Sequence, residues 1–341
     1  MKNNFFILVL VLFLASCVKD KPETLVQPPV QLTNSKKVYI VNEGPFQNGN
    51  GSISLYDSGS NEVVENFYET QNQSQLGNIA QSLNYFNGSY YIVVNNSKKI
   101  IVCDKEFKKK TEITGLNSPR YILPITNQKA YVSDLYANSI SIINLNTNAI
   151  TGSIPCSGKT EKMTLLYNKA YITNTDRDHV YVVNVLSDKI EDSVFVGAGA
   201  SSVALDANDQ VWVLASGNYG ISSGRLSKIN PATNKVDFFV NFELTDSPFN
   251  LCLNAKKDTL YFLNKSVYRM SVKEMSLPAS HFIASGTKNF YGLGVNPNDY
   301  SIYVSDALDY SQRSQIYIYH ADGSPKHNFK AGIISNSFYF E

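Results

Sequence analysis

Four carboxylates, Glu43, Asp134, Asp176 and Asp306, fall at or just past the ends of short aromatic-led, β-branched runs: YIVN at Tyr39, YVSD at Tyr131, YITN at Tyr171 and YVSD at Tyr303. Acids recurring at one place in a pattern could converge on a hard cation, which takes oxygen ligands. The same stretches carry amides at Asn42, Asn95, Asn96 and Asn174, rings at Tyr136, Tyr219 and Tyr310, and the pair Arg120-Tyr121. Rings, amides and a few charges gathered on a concave surface make a small-molecule pocket. Asn and Asp have a competing explanation, because their side chains bond nearby backbone in turns. Turn chemistry does not account for the rings and Arg120, so these carry more of the functional reading.

The elements that must position these residues form a repeat. KAYVSDLYANSISIINLNTNAITGSI, beginning at Lys129, recurs as KAYITNTDRDHVYVVNVLSDKIEDSV at Lys169. Each copy reads as an aromatic-led strand, a polar loop, a β-branched strand, an Asn-rich turn and a further strand. The leading aromatic recurs at Tyr39, Tyr91, Tyr131, Tyr171, Trp212, Tyr261 and Tyr303. A period near forty with four short strands per unit is the signature of a propeller blade, so the sequence predicts an all-β, seven-bladed β-propeller. The wide intervals Tyr39–Tyr91 and Trp212–Tyr261 are expected to hold loop insertions. The repeated aromatic itself should fill the gap between neighbouring sheets.

Inner strands are expected over Ile79–Phe86, Pro119–Pro124, Lys162–Tyr167, Ser202–Leu205, Phe249–Leu253 and Tyr291–Val295. Turns such as Asn87-Gly88, Asn208-Asp209 and Asn298-Asp299 then lie on one face of the disc. The candidate residues lie on the other, with the segments entering each inner strand: Gln73–Asn78, Ser118–Tyr121, Glu161, Ser247–Asn250 and Asn289–Tyr291. KVYIVN, SISLYD and EVVENFY make three strands of a first blade that lacks an inner one, and AGIISNSFYF at the carboxyl end supplies it. Such closure leaves no seam in the ring.

Other chemistry is missing. HExxH, CxxC and phosphate-loop patterns do not occur, and the cysteines Cys103, Cys156 and Cys252 have no zinc spacing. The formal net charge is +1 and the only dense basic cluster, Lys105–Lys110, reads as a solvated hairpin turn, so nucleic acid is not an expected partner. No catalysis, metal or cofactor is expected.

The amino terminus reads as an address. Lys2 precedes the apolar stretch Phe5–Leu14, which is too short to span a bilayer, and Leu14-Ala15-Ser16-Cys17 follows. This resembles the lipobox of bacterial lipoproteins and implies a signal peptide over 1–16 and lipidation of Cys17. Val18-Lys19-Asp20-Lys21 resembles a surface-export signal, and the Pro-, Gln- and Thr-rich segment after it reads as a tether. The expected organisation is therefore 1–16 signal peptide, 17–36 lipidated cysteine and tether, and 37–341 propeller.

YIVNEG (39–44), GNGSISLYD (49–57), YYIVVNNSKKIIV (90–102), NSPRYI (117–122), AYVSDLYANSISIIN (130–144) and VWVL (211–214) resemble the YncE-like propellers. They are closest to a lipoprotein branch that includes surface proteins capturing cobalamin for a TonB-dependent outer-membrane transporter. The resemblance implies a lipid-anchored protein of the outer membrane, facing outward, that binds a small nutrient, with a corrinoid as leading ligand. A propeller enzyme of lactonase or lyase type, using a divalent cation, and a protein-interaction scaffold are the alternative readings. The ligand residues expected are Asn42, Glu43, Asn95, Asn96, Arg120, Tyr121, Asp134, Tyr136, Asn174, Asp176, Tyr219, Asp306 and Tyr310.

Overall fold

A computed structural model describes residues 36–45 and 49–341. The signal peptide, Cys17 and nearly all of the tether expected from the sequence lie outside them. Seven antiparallel sheets form the ring, six of four strands and one of three. Within a sheet the order runs inner, aromatic-led, third and outer strand. In the first blade the inner strand is Ser335–Phe340, paired antiparallel with Lys37–Asn42 through Val38↔Phe340, Tyr39↔Tyr339 and Ile40↔Phe338. Closure by the two chain ends is thus as the sequence predicts.

The other inner strands are Ala80–Phe86, Pro119–Pro124, Thr160–Leu166, Ala200–Leu205, Phe249–Leu253 and Phe290–Val295. The leading aromatics Tyr39, Tyr91, Tyr131, Tyr171, Trp212, Tyr261 and Tyr303 are all buried, in apolar clusters packed between neighbouring blades. Most of their polar atoms reach partners, as buried phenols and indoles require. The Tyr131 hydroxyl donates to Asp188 in the turn of the next blade, and Trp212 Nε1 donates to Asp206 Oδ2 at 2.9 Å.

The fold differs from expectation in two places. EVVENFY does not complete a strand: only Glu62–Val64 pairs, Asn66 takes φ 47°, and Phe67–Asn72 is a short helix. The helix turns Tyr68 into the core, and its neighbour Phe67 packs on Tyr39 and Phe107, so burial of two rings outweighs the β pattern. This helix and the loop after it account for the first wide interval, and the loop 216–224 accounts for the second. The sixth blade has three strands, ending with Ser266–Ser271. Beyond it Pro278 and Gly286 interrupt a polar stretch, and only the bridge Val267↔Ile283 ties that stretch to the sheet.

Candidate functional site

Inner strands of a propeller line its central channel, and each begins on one face of the disc and ends on the other. Here all seven break their ladder near the start. The register shifts between Ala80 and Ser82, Pro119 and Ile122, Thr160 and Met163, Ala200 and Ser202, Phe249 and Cys252, Phe290 and Leu293, and opposite Val41/Asn42 in the closing strand. Residues skipped by the pairing include Gln81, Arg120-Tyr121, Glu161-Lys162, Ser201, Asn250, Tyr291 and Asn336. A bulge bends a strand and re-aims its side chains. Hydroxyls on the leading strands take up the freed backbone: Ser133 accepts from Tyr121 N at 3.1 Å, Thr173 donates to Lys162 O at 2.9 Å, and Ser305 accepts from Gly292 N at 2.7 Å. That explains the Ser or Thr before the acid or amide in YVSD and YITN.

The skipped side chains meet at the channel mouth around a cavity of about 170 Å³, where Glu43 joins them. Arg120 Nε donates to both oxygens of Glu161, at 3.0 and 2.9 Å, and its Nη1 donates to Gln81 Oε1. Glu43 Oε1 accepts from Tyr291 Oη and Asn336 Nδ2, each at 3.1 Å, and Asn336 also donates to Gln81 O at 3.0 Å. Lys162 Nζ donates to Asn250 Oδ1 at 3.3 Å, and Asn250 Nδ2 to Tyr291 O at 2.6 Å. Six blades are thereby linked around the channel, and the fifth adds Ser201 and Ser202 to the wall.

Charges in such a site interact strongly because water is largely excluded. Burial lowers the proton affinity of the Arg120 guanidinium, but the charge and hydrogen bonds of Glu161, together with Tyr121 and Glu43, outweigh this and hold it above its usual range. Burial raises the Glu43 carboxyl despite its two donors, and burial pushes the hydroxyls of Tyr121 and Tyr291 upward, so both remain donors. Arg120 Nη2 makes no hydrogen bond to the described residues, and Tyr121 Oη is held only by Gln81 Nε2 at 3.4 Å.

Of the residues expected at the site, Glu43, Arg120 and Tyr121 line the mouth, and Tyr310 stands beside it, edge-on to Tyr291 at 5.9 Å. Tyr136, 61% exposed, lies under Lys159, which pairs with Asp176 at 2.9 Å; Tyr219 is 68% exposed on the loop 216–224; Asn96 reaches Asn78 Oδ1 at 3.4 Å. These belong to the outer rim. Asn42, Asn95, Asp134, Asn174 and Asp306 are corrected to loop clamps: all are buried, with their side-chain atoms committed to neighbours. Asp134 accepts from the amides of Asn117, Ser118, Tyr136 and Ala137, and Asp306 from those of Asn289 and Leu308. Asn174 Oδ1 accepts from the amides of Asp176 and Arg177, Asn95 Nδ2 donates to Ser118 Oγ, and Asn42 binds Ser52, Ser54 and Ser335. The four carboxylates therefore do not assemble, and among the described residues no cluster of His, Cys, Asp or Glu is placed to hold a metal ion. Cys156, the thiol with a loop position, is half-buried and pushed up to about 11, mainly by burial.

Gln81, Glu161, Lys162, Asn250, Tyr291 and Asn336 were not among the expected ligand residues. Their signal is positional, one or two places into each inner strand, but period-two alternation misassigns them because the bulge shifts the alternation by one.

A family model matches residues 36–341, and its description is a domain of unknown function, DUF5074. The chain belongs to the DUF5074 family. No curated protein matches it by sequence. Among solved structures it is similar to a quinonprotein alcohol dehydrogenase-like protein from Bacteroides thetaiotaomicron, with 15% identity, TM-score 0.71, and 90% of this chain and 78% of that one covered. A functionally unknown protein from Desulfotomaculum acetoxidans gives 11% identity and TM-score 0.68, over 89% of this chain and 98% of that one. Kuenenia stuttgartiensis hydrazine synthase gives 10% and 0.59, over 73% and 85%. At such identities the likeness is one of fold, and it agrees with the ring of blades described above.

Proposed function

We propose that this propeller captures a nutrient at the polar mouth of its channel, with a corrinoid as the leading ligand class. In this reading it is a lipid-anchored protein of the outer membrane, faces outward, and passes its ligand to a TonB-dependent transporter. The observation that supports capture most is the ring of side chains released by the seven ladder breaks. Within it, Arg120 is fixed by Glu161 and Gln81 yet keeps Nη2 without a partner among the described residues. A donor fixed in advance loses little freedom on binding. The cavity of about 170 Å³ admits a side group and not a macrocycle. A corrinoid would thus lie across the face, an amide or phosphate reaching Arg120 and Tyr121, its ring against Tyr310 and the rim tyrosines. The address rests on the lipobox-like amino terminus, and the transporter on the resemblance to the capture branch.

Calorimetric titration of the full chain with cobalamin and with its corrinoid precursors tests the proposal. Binding should be seen, and Arg120→Ala should weaken it about thirtyfold, the loss of ~2 kcal/mol common at a hot spot. Tyr310→Ala, which leaves the buried network untouched, should also weaken it. Absence of heat with every corrinoid would remove this ligand class. Unchanged affinity in both variants would remove the mouth as the site.

A further inference from the structure

At its far end the channel opens into a second and larger chamber of about 660 Å³, walled by the second halves of the inner strands: Leu123, Leu165, Leu205, Leu253, Val295 and Phe338 among others. Tyr121, Lys162 and Ser337 line both this chamber and the polar mouth, and so mark the waist between them. Lys162 is unlike Arg120 at the mouth. Glu161 is engaged by Arg120, and among the described residues Lys162 forms no ion pair. Its one hydrogen bond goes to a neutral acceptor, Asn250 Oδ1 at 3.3 Å, which Asn250 Nδ2 holds in place by donating to Tyr291 O. Burial lowers the ammonium's proton affinity, the sign of a cation short of compensation.

We propose that the chamber is a binding site for an amphipathic monocarboxylate, such as a medium-chain or aryl-alkanoic acid, with its carboxylate at Lys162 and the Tyr121 hydroxyl and its apolar body along the far half of the channel. The carboxylate supplies the partner that Lys162 lacks, and a carboxylate–ammonium bond is short and charge-assisted. The inner strand after Lys162 continues along the wall through Met163, Thr164 and Leu165, ~10 Å at ~3.3 Å per residue, which suits a medium-length alkyl chain along the axis. This site extends from the waist away from the mouth assigned to nutrient capture and does not depend on that assignment.

The test is calorimetry of the full chain with octanoate and with octanol, which share an alkyl body and differ in charge. Octanoate should bind at least tenfold more tightly than octanol, and decanoate more tightly again, up to about fourfold for each added methylene. Lys162→Met, which keeps the apolar stem, should bring octanoate down to the affinity of octanol. Equal binding of the two on the unaltered protein would overturn the role of Lys162 and requires no variant to fold. Octanoate binding unchanged by Lys162→Met would place it elsewhere, and binding of neither compound would overturn the site.

Discussion

The two ends of the channel are built by the same seven strands, yet they are chemically opposite. At the mouth, the skipped residues that line it are charged or polar and hold one another across six blades. Two to four residues further along the same strands, the walls are mainly Leu, Val and Phe, paired in regular register. Buried polar groups must find partners or cost several kcal/mol, whereas apolar walls need only to pack. The mouth is therefore a fixed constellation whose members depend on one another, and the far chamber is a tolerant lining. Polar groups are concentrated where the ladder is broken, because only there does backbone geometry let side chains of adjacent blades meet.

The largest perturbation should strike both ends at once. Deleting Ala331–Glu341 removes the inner strand of the first blade, exposes the edge of Lys37–Asn42 and opens the ring. The truncated chain should aggregate or lose its cooperative unfolding transition. A soluble truncation with unchanged melting would mean that ring closure does not hold the two ends in common.

A matched pair of alanine variants measures the difference between the ends. Arg120→Ala strands the Glu161 carboxylate, whose side chain is 10% exposed, and should cost about 3 kcal/mol in denaturant unfolding. Leu205→Ala removes a half-buried side chain from the far wall and should cost about 1 kcal/mol. Equal costs would erase the distinction between a cooperative mouth and a tolerant lining.

The smallest effect is the most specific. Burial raises the Glu43 carboxyl above the 4.5 of a free glutamate, so the folded chain holds that proton more tightly than the unfolded one. Its contribution is full below the unfolded value and is lost as pH rises through the folded value. Glu43→Gln keeps an acceptor for Tyr291 and Asn336 and removes the charge. Relative to the parent it should gain stability from acid to neutral pH, by about 2 °C in Tm. A difference that does not change with pH would show that Glu43 carries no such cost.

Much of this protein can be read from its amino acids alone. Aromatic-led runs at a spacing near forty determine seven blades, and unpaired strands at the two ends of the chain determine how the ring closes, since both follow from local pattern and the need to pair every strand. The same repetition determines which face collects the loops, and Arg120, Tyr121 and Glu43 were legible there. Tertiary structure alone decided which residues of that face are free to act. Asp134 and Asn174 look like ligands in sequence, but four loop amides claim the first and the turn after its strand claims the second. Lys162 and Asn336 look like ordinary strand residues, but each sits where the ladder skips and the side chain turns into the channel. A bulge is set by the fit of each inner strand against its neighbours around a closed ring. No window of sequence contains that information, because the residues that meet at the mouth lie up to 293 positions apart in the chain.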